Sequence, residues 1–188
     1  VSATSSKKEG SSASDDARLN GQSQPDEIAE VDAWTSAFDY AWDKKDGVTS
    51  DPTLNFSGYA NTYTPGAMHT VETISEWAEH TVRRIEVLRP KRVLELGCGS
   101  GMILFRVARL AGVEHCIGAD ISAVSTQYLD EVAPSATPEG VCFETRCPVA
   151  AHESLMFGDG SIDTIICNCV SQYFPSLDYL ELVIRNAL

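Results

Sequence analysis

The segment Glu95-Leu96-Gly97-Cys98-Gly99-Ser100-Gly101 constrains this chain more than any other. Glycine at every second position weakens a strand and a helix alike, because each glycine loses more backbone freedom on ordering than any other residue. The run is therefore neither element but a turn between two. Arg92-Val93-Leu94-Glu95-Leu96 before it reads as a short buried strand, and the apolar run from Met102 to Leu110 reads as helix, set here at 101–111. A strand, a glycine turn and a helix in that order let a ligand approach the main chain closely.

The rest of the sequence extends the same pattern. Ile28, Val31, Trp34, Phe38 and Trp42 recur at spacings of three and four, which predicts an amphipathic helix over 27–44 with its two tryptophans as packing anchors. Residues 46–52 read as a loop. Val71, Ile74, Ala78, Val82, Ile85 and Leu88 form an apolar stripe that predicts a helix over 70–89, stopped by Pro90. Strands are expected at 92–96, 115–120, 141–145 and 162–168, a helix at 122–132, and a further helix from Leu177. Strands that alternate with helices across short loops make a doubly wound, Rossmann-like parallel α/β sheet. Residues 1–26, rich in Ser, Ala, Asp, Lys and Gly, have little to bury and read as a disordered segment or linker. Residues 27–89 then form a helical lead-in and lid, and 90–188 the ligand-binding core.

Charge and cysteine usage narrow the function classes. The formal net charge is −13, which argues against nucleic acid and against an anionic membrane surface. No apolar run reaches the roughly 20 residues of a membrane span. Arg83, Arg84, Arg89, Lys91 and Arg92 form a local basic cluster, read as a solvated helix end, with an acidic partner as the alternative. The six cysteines show no paired C-x-x-C spacing and the four histidines no metal-ligand spacing, so no metal is expected. Without a secretory signal, the thiols read as reduced and the location as cytoplasmic.

Asp120 closes the second strand, about 20 residues beyond the glycine turn. An acid there accepts hydrogen bonds from ribose hydroxyls; its alternative reading is a surface acid that, with Ser122, caps the next helix. The dinucleotide fingerprint needs a third small residue where this chain has Met102, so a nicotinamide cofactor is the least favoured option. The pattern E-x-G-x-G-x-G instead resembles motif I of class I S-adenosylmethionine-dependent methyltransferases. Further likeness runs through Tyr59-x-Asn61-Thr62-Tyr63-Thr64, Glu76-Trp77, Val82-Arg83-Arg84-Ile85 and Asn168-Cys169-Val170-Ser171-Gln172-Tyr173-Phe174-Pro175-Ser176. Together, over roughly 28–188, these resemble the N-methyltransferase domains embedded in nonribosomal peptide synthetases. The resemblance implies a sheet of the class I type, truncated in this chain after about the fourth strand, and S-adenosylmethionine as cofactor. It places Glu95, Gly97, Cys98, Gly99, Gly101, Asp120, Ile121 and Asn168 around that cofactor. His152 or Glu153 is the candidate for reading the adenine amino group, with an ordinary polar loop as the open alternative.

Methyl transfer from a sulfonium is an in-line displacement that asks the protein chiefly to align the reactants and exclude water. Asn168, at the carboxyl end of the fourth strand, with Gln172, Tyr173 and, by resemblance, Tyr63, are the candidate residues on the acceptor side. The resemblance implies a carrier-tethered aminoacyl or peptidyl substrate, with peptidyl carrier and adenylation domains as partners. The alternatives are a free-standing small-molecule methyltransferase and a non-catalytic module that binds cofactor or partner.

Overall fold

The structure, a computed structural model, describes residues 25–59, 69–147, 150, 151, 153 and 161–187. In chain order these form α1 (Pro25–Asp43), α2 (Val71–Glu86), β1 (Arg92–Leu96), α3 (Leu104–Val107), β2 (His115–Ala119), α4 (Ala123–Ala136), β3 (Cys142–Arg146), β4 (Thr164–Cys167), a short 3-10 turn (Ser171–Tyr173) and α5 (Leu177–Ala187). Of the segment 1–26 expected to be disordered, residues 1–24 fall outside the described residues, while Pro25 and Asp26 open α1.

The four strands form one parallel sheet in the order β3-β2-β1-β4. The chain starts in the middle at β1, steps outward through β2 to β3, and then returns to the other side of β1 as β4. The reversal between β1 and β4 opens a crevice at the carboxyl ends of the strands, the usual ligand position in an open α/β sheet.

Side chains alternate across the sheet. On one face Val93 and Cys116 meet Ile74, Ala78 and Ile85 of α2 and the buried run from Met102 to Val107. On the other, Leu94, Leu96, Ile117 and Ala119 meet Tyr179 and Val183 of α5, with Val31 of α1 at the margin. Leu129 and Val132 of α4 pack with Phe105 and Cys98 in a third cluster. Thr70 caps α2, its hydroxyl accepting the Thr73 N–H at 3.2 Å.

Two expectations need correction. The helix foreseen over 101–111 is one regular turn, Leu104–Val107. Around it the bonds mix i→i−4, as in Phe105 N to Gly101 O, with i→i−3, as in Arg109 N to Arg106 O. Met102, Ile103, Leu104, Phe105, Val107 and Ala108 are all buried. A segment enclosed on nearly every side follows the space available rather than a helical stripe. The second helix ends at Glu86, so Leu88, foreseen as part of its apolar face, is 66% exposed.

Candidate functional site

The turn after β1 has a left-handed backbone at Gly97 (φ +66°), Gly99 (φ +53°) and Gly101 (φ +77°). The Gly97 and Cys98 amides both donate to the Ala119 carbonyl, at 2.8 and 3.1 Å, which ties the turn to the end of β2. A side chain at Gly99 would come within 2.7 Å of the Trp42 ring, so only glycine lets that indole lie against the turn. Gly101 serves packing: a Cβ there would stand 2.1 Å from Leu129 Cδ1 of α4.

Asp120 links the turn to α4. Its Oδ2 accepts the Gly99 N–H and its Oδ1 the Ser122 N–H, both at 2.8 Å. A carboxylate offers about four lone-pair positions, and the Ser125 side chain engages the group as well, so it is not saturated and keeps capacity for a ligand. Burial raises the affinity of this carboxyl for its proton, while the Ser122 and Gly99 amides oppose that. Glu95, two residues before the turn, is 3% exposed. Burial pushes its carboxyl up to about 8, the Asp120 charge adds to the rise, and the Leu104 amide opposes it. Its Oε2 is shut off from water with no hydrogen-bond partner. Two acids this enclosed are drawn towards their neutral forms, and a cation placed beside them would favour their ionisation.

A cavity of about 320 Å³ opens at the strand ends. Gly97, Gly99, Asp120, Ile121 and Asn168 line it from the sheet, and Val31, Trp34, Phe38 and Trp42 from α1. Tyr173 joins the α1 aromatics, its ring centroid 4.8 Å from Trp34 and 5.0 Å from Phe38. The helix is pinned at both ends. Asp39 Oδ1 accepts the Ser122 hydroxyl at 2.7 Å and lies 3.4 Å from the Val124 amide, while Glu27 Oε1 accepts the Ser176 hydroxyl at 2.6 Å. A strap, residues 47–59, runs beside the turn: Ser100 Oγ donates to Asn55 O at 2.6 Å, and the Tyr128 hydroxyl donates to Pro52 O at 2.9 Å.

Of the residues singled out from the sequence, Gly97, Gly99, Asp120, Ile121, Asn168, Gln172 and Tyr173 come together around this cavity. Glu95, Cys98 and Gly101 do not line it; they are packed behind the turn. Glu153 is exposed, with its Oε2 accepting the Ala150 N–H at 3.1 Å, and Ala151 lines the cavity instead. Tyr63 and His152 lie outside the described residues. The tryptophans foreseen as packing anchors have a second role, since Trp34 and Trp42 both line the cavity. Sequence reasoning missed the strap, whose closely spaced Asp51, Thr53, Asn55 and Ser57 were the available signal: Asp51 Oδ1 accepts the Thr53 N–H and Asn55 Oδ1 the Ser57 N–H. It also missed Cys169, which lines the cavity with φ +56° and turns the chain after β4.

Comparison with known proteins supplies the class. The family described as "Methyltransferase domain" matches residues 89–188. The chain belongs to that family, and its parallel sheet with flanking helices is the fold of S-adenosylmethionine-dependent methyltransferases. It is 36% identical over 165 residues to chondramide synthase cmdD of Chondromyces crocatus, covering 88% of this chain and 4% of that protein. It is 32% identical over 159 residues to a probable non-canonical nonribosomal peptide synthetase, CymA, of Salinispora arenicola, covering 85% of this chain and 2% of that one. The chain thus spans a few per cent of the length of these relatives. Among solved structures, Haemonchus contortus phosphoethanolamine N-methyltransferase 1, in complex with phosphoethanolamine and S-adenosylhomocysteine, superposes with a TM-score of 0.57 at 16% identity, over 86% of this chain and 30% of that one. No helix among the described residues is long and apolar enough to cross a membrane.

Proposed function

We propose that this chain binds S-adenosylmethionine in the cavity at the strand ends and methylates the nitrogen of a carrier-tethered aminoacyl or peptidyl group in nonribosomal peptide synthesis. In this reading residues 27–89 are a lead-in and lid over the core at 90–188, and carrier and adenylation domains are the partners. The observation that carries it is Asp120. Its carboxylate is fixed by two amides, keeps lone pairs to spare, and faces a cavity between a glycine turn and an apolar, aromatic wall.

The residues present fit the cofactor. Asp120 would accept from the ribose hydroxyls, and Gly97 and Gly99 would let the amino-acid part lie along the main chain. Ile121 would pack against the base, and the positive end of the cofactor would favour ionisation of the buried Glu95 carboxyl behind the turn. When bound, the cofactor supplies an electrophilic methyl group. The chain's own residues do the rest. Trp34, Phe38 and Tyr173 exclude water. Gln172 commits its Nε2 to the Cys169 carbonyl at 2.9 Å, which fixes the amide and leaves Oε1 to accept from an acceptor amine. Asn168 lies beside it and would orient the same group.

Calorimetric titration with S-adenosylmethionine tests the cofactor. The wild-type chain binds, and Asp120→Ala weakens binding at least about tenfold, the equivalent of roughly 1.4 kcal/mol. A folded wild-type chain that does not bind overturns the assignment. The acceptor is tested by methyl transfer to an aminoacyl-loaded carrier against the free amino acid. Equal rates on both would remove the carrier from the proposal.

A further inference from the structure

At the opposite end of the sheet from the cavity, we infer that His115, Cys142 and Glu144 form a surface site for a borderline-soft transition metal of the zinc type. One imidazole nitrogen, one sulfur and one carboxylate oxygen lie within 4.8 Å of one another there. Strand geometry sets the arrangement. Cys142 is the register partner of His115 across the β2–β3 pair, and Glu144 follows Cys142 by two residues, so all three side chains leave the sheet on one face.

The donor spacing suits a tetrahedral ion. Bonds of about 2.0–2.3 Å to N, O and S imply donor pairs roughly 3.3–3.8 Å apart. His115 Nε2 lies 3.0 Å from Glu144 Oε1, and Cys142 Sγ lies 3.7 Å from the same oxygen. A small rotation of the exposed Glu144 and Cys142 side chains brings all three donors to bonding distance.

The histidine gives an independent reason. Its Nε2 is out of reach of water and has no aligned hydrogen bond, even though the Glu144 carboxylate is only 3.0 Å away. A buried polar atom that close to an acid and still unsatisfied has an interaction to gain. A cation between the two satisfies both without the alignment a hydrogen bond needs. The N, S, O set favours zinc-like ions over magnesium or calcium, which prefer oxygen alone. With three protein ligands the fourth position stays open to water or to a donor from another chain. Because the ligands lie on neighbouring strands, a bound ion ties the outer strand β3 to β2.

Substituting cobalt for zinc in the full chain tests the site, since a thiolate ligand gives a sulfur-to-cobalt charge-transfer absorption. One equivalent of cobalt should give that band, zinc should displace it, and zinc should raise the melting temperature. Cys142→Ser should abolish the band. His115→Gln should weaken affinity by more than the roughly 10–100-fold that loss of an outer-sphere partner costs. Cys167→Ser, which removes another exposed thiol, should leave both unchanged. Unchanged melting of the metal-free variants by circular dichroism shows that they fold. No charge-transfer band in the wild type, a band that survives Cys142→Ser, or an equal loss in Cys167→Ser overturns the site.

Discussion

The inner and outer strands of the sheet do different work. β1 and β2 are flanked by other strands, and after their first residue every position is buried. β3 and β4 stand at the edges of the described sheet and are only partly covered, with Cys142, Glu144 and Cys167 exposed. The inner strands carry stability and register. The outer strands and the turns at the sheet's ends present the groups available to ligands: Asn168 beyond β4, and Cys142 and Glu144 on β3. One residue breaks the division. Glu95 is an acid on an inner strand, 3% exposed and held towards its neutral form by burial.

The division is broken or sharpened most strongly by paired truncations. Leu94, fully buried in β1, should cost about 2–5 kcal/mol when changed to Ala, read as a fall in the denaturant midpoint at constant slope. Phe143 on β3 stacks on Phe105 at 5.1 Å but is only half-buried. Phe143→Ala should therefore cost less, although a larger side chain is removed. If the two cost the same, the edge strand is as integral to the core as the centre.

How far the sequence foretells this molecule follows the same line. The inner strands were legible because short, largely apolar runs stand between clear breakers, and 92–96 and 115–120 lie within a residue of β1 and β2. β3 and β4 were placed, but 162–168 shrank to Thr164–Cys167, since half-covered strands fray where neighbours end. The helix at 101–111 failed because its residues are enclosed all round and carry no stripe for periodicity to detect. At the site, the glycine turn and Asp120 were legible because local conformation demands them. The aromatic wall was half legible: periodicity showed that Trp34 and Phe38 share a face, but not what that face covers. That is settled by the contacts from Asp39 to Ser122 and from Glu27 to Ser176, pairs distant in sequence.

The next test concerns the exception. Glu95 holds its proton far more tightly folded than unfolded, at about 8 against 4.5. Between those values the folded state binds the extra proton, so stability is greatest below about 4.5 and falls as pH rises towards 8, then levels. Glu95→Gln should flatten this slope and melt higher than wild type above pH 8, where the native acid must ionise without water. A slope of the same sign persists from Asp120, whose carboxyl is also raised by burial. If the variant is less stable than wild type at high pH, the carboxylate has a favourable partner in the fold.

The smallest effect belongs to α1. Asp39 reaches from α1 to the first turn of α4, where its Oδ1 takes the Ser122 hydroxyl and sits near the Val124 amide. Ser122 also caps α4, accepting the Ser125 N–H at 3.2 Å, and its own amide donates to Asp120. One serine thus connects the helix above the cavity with the acid inside it. Asp39→Ala removes a supporting contact at a helix start, worth about 0.5–2 kcal/mol in global stability. Its effect on ligand binding separates two pictures of α1. If the helix only covers the core, affinity for S-adenosylmethionine falls no further than the stability loss requires, and the tryptophan fluorescence of the free chain is unchanged. If its seating orders the Asp120 end of the cavity, affinity falls further than that stability loss accounts for, and Asp39→Asn, which keeps an acceptor oxygen for the Ser122 hydroxyl, restores most of it. The second outcome is expected, because the path from Asp39 to Asp120 runs through hydrogen bonds of 2.7 and 2.8 Å with a single residue between them.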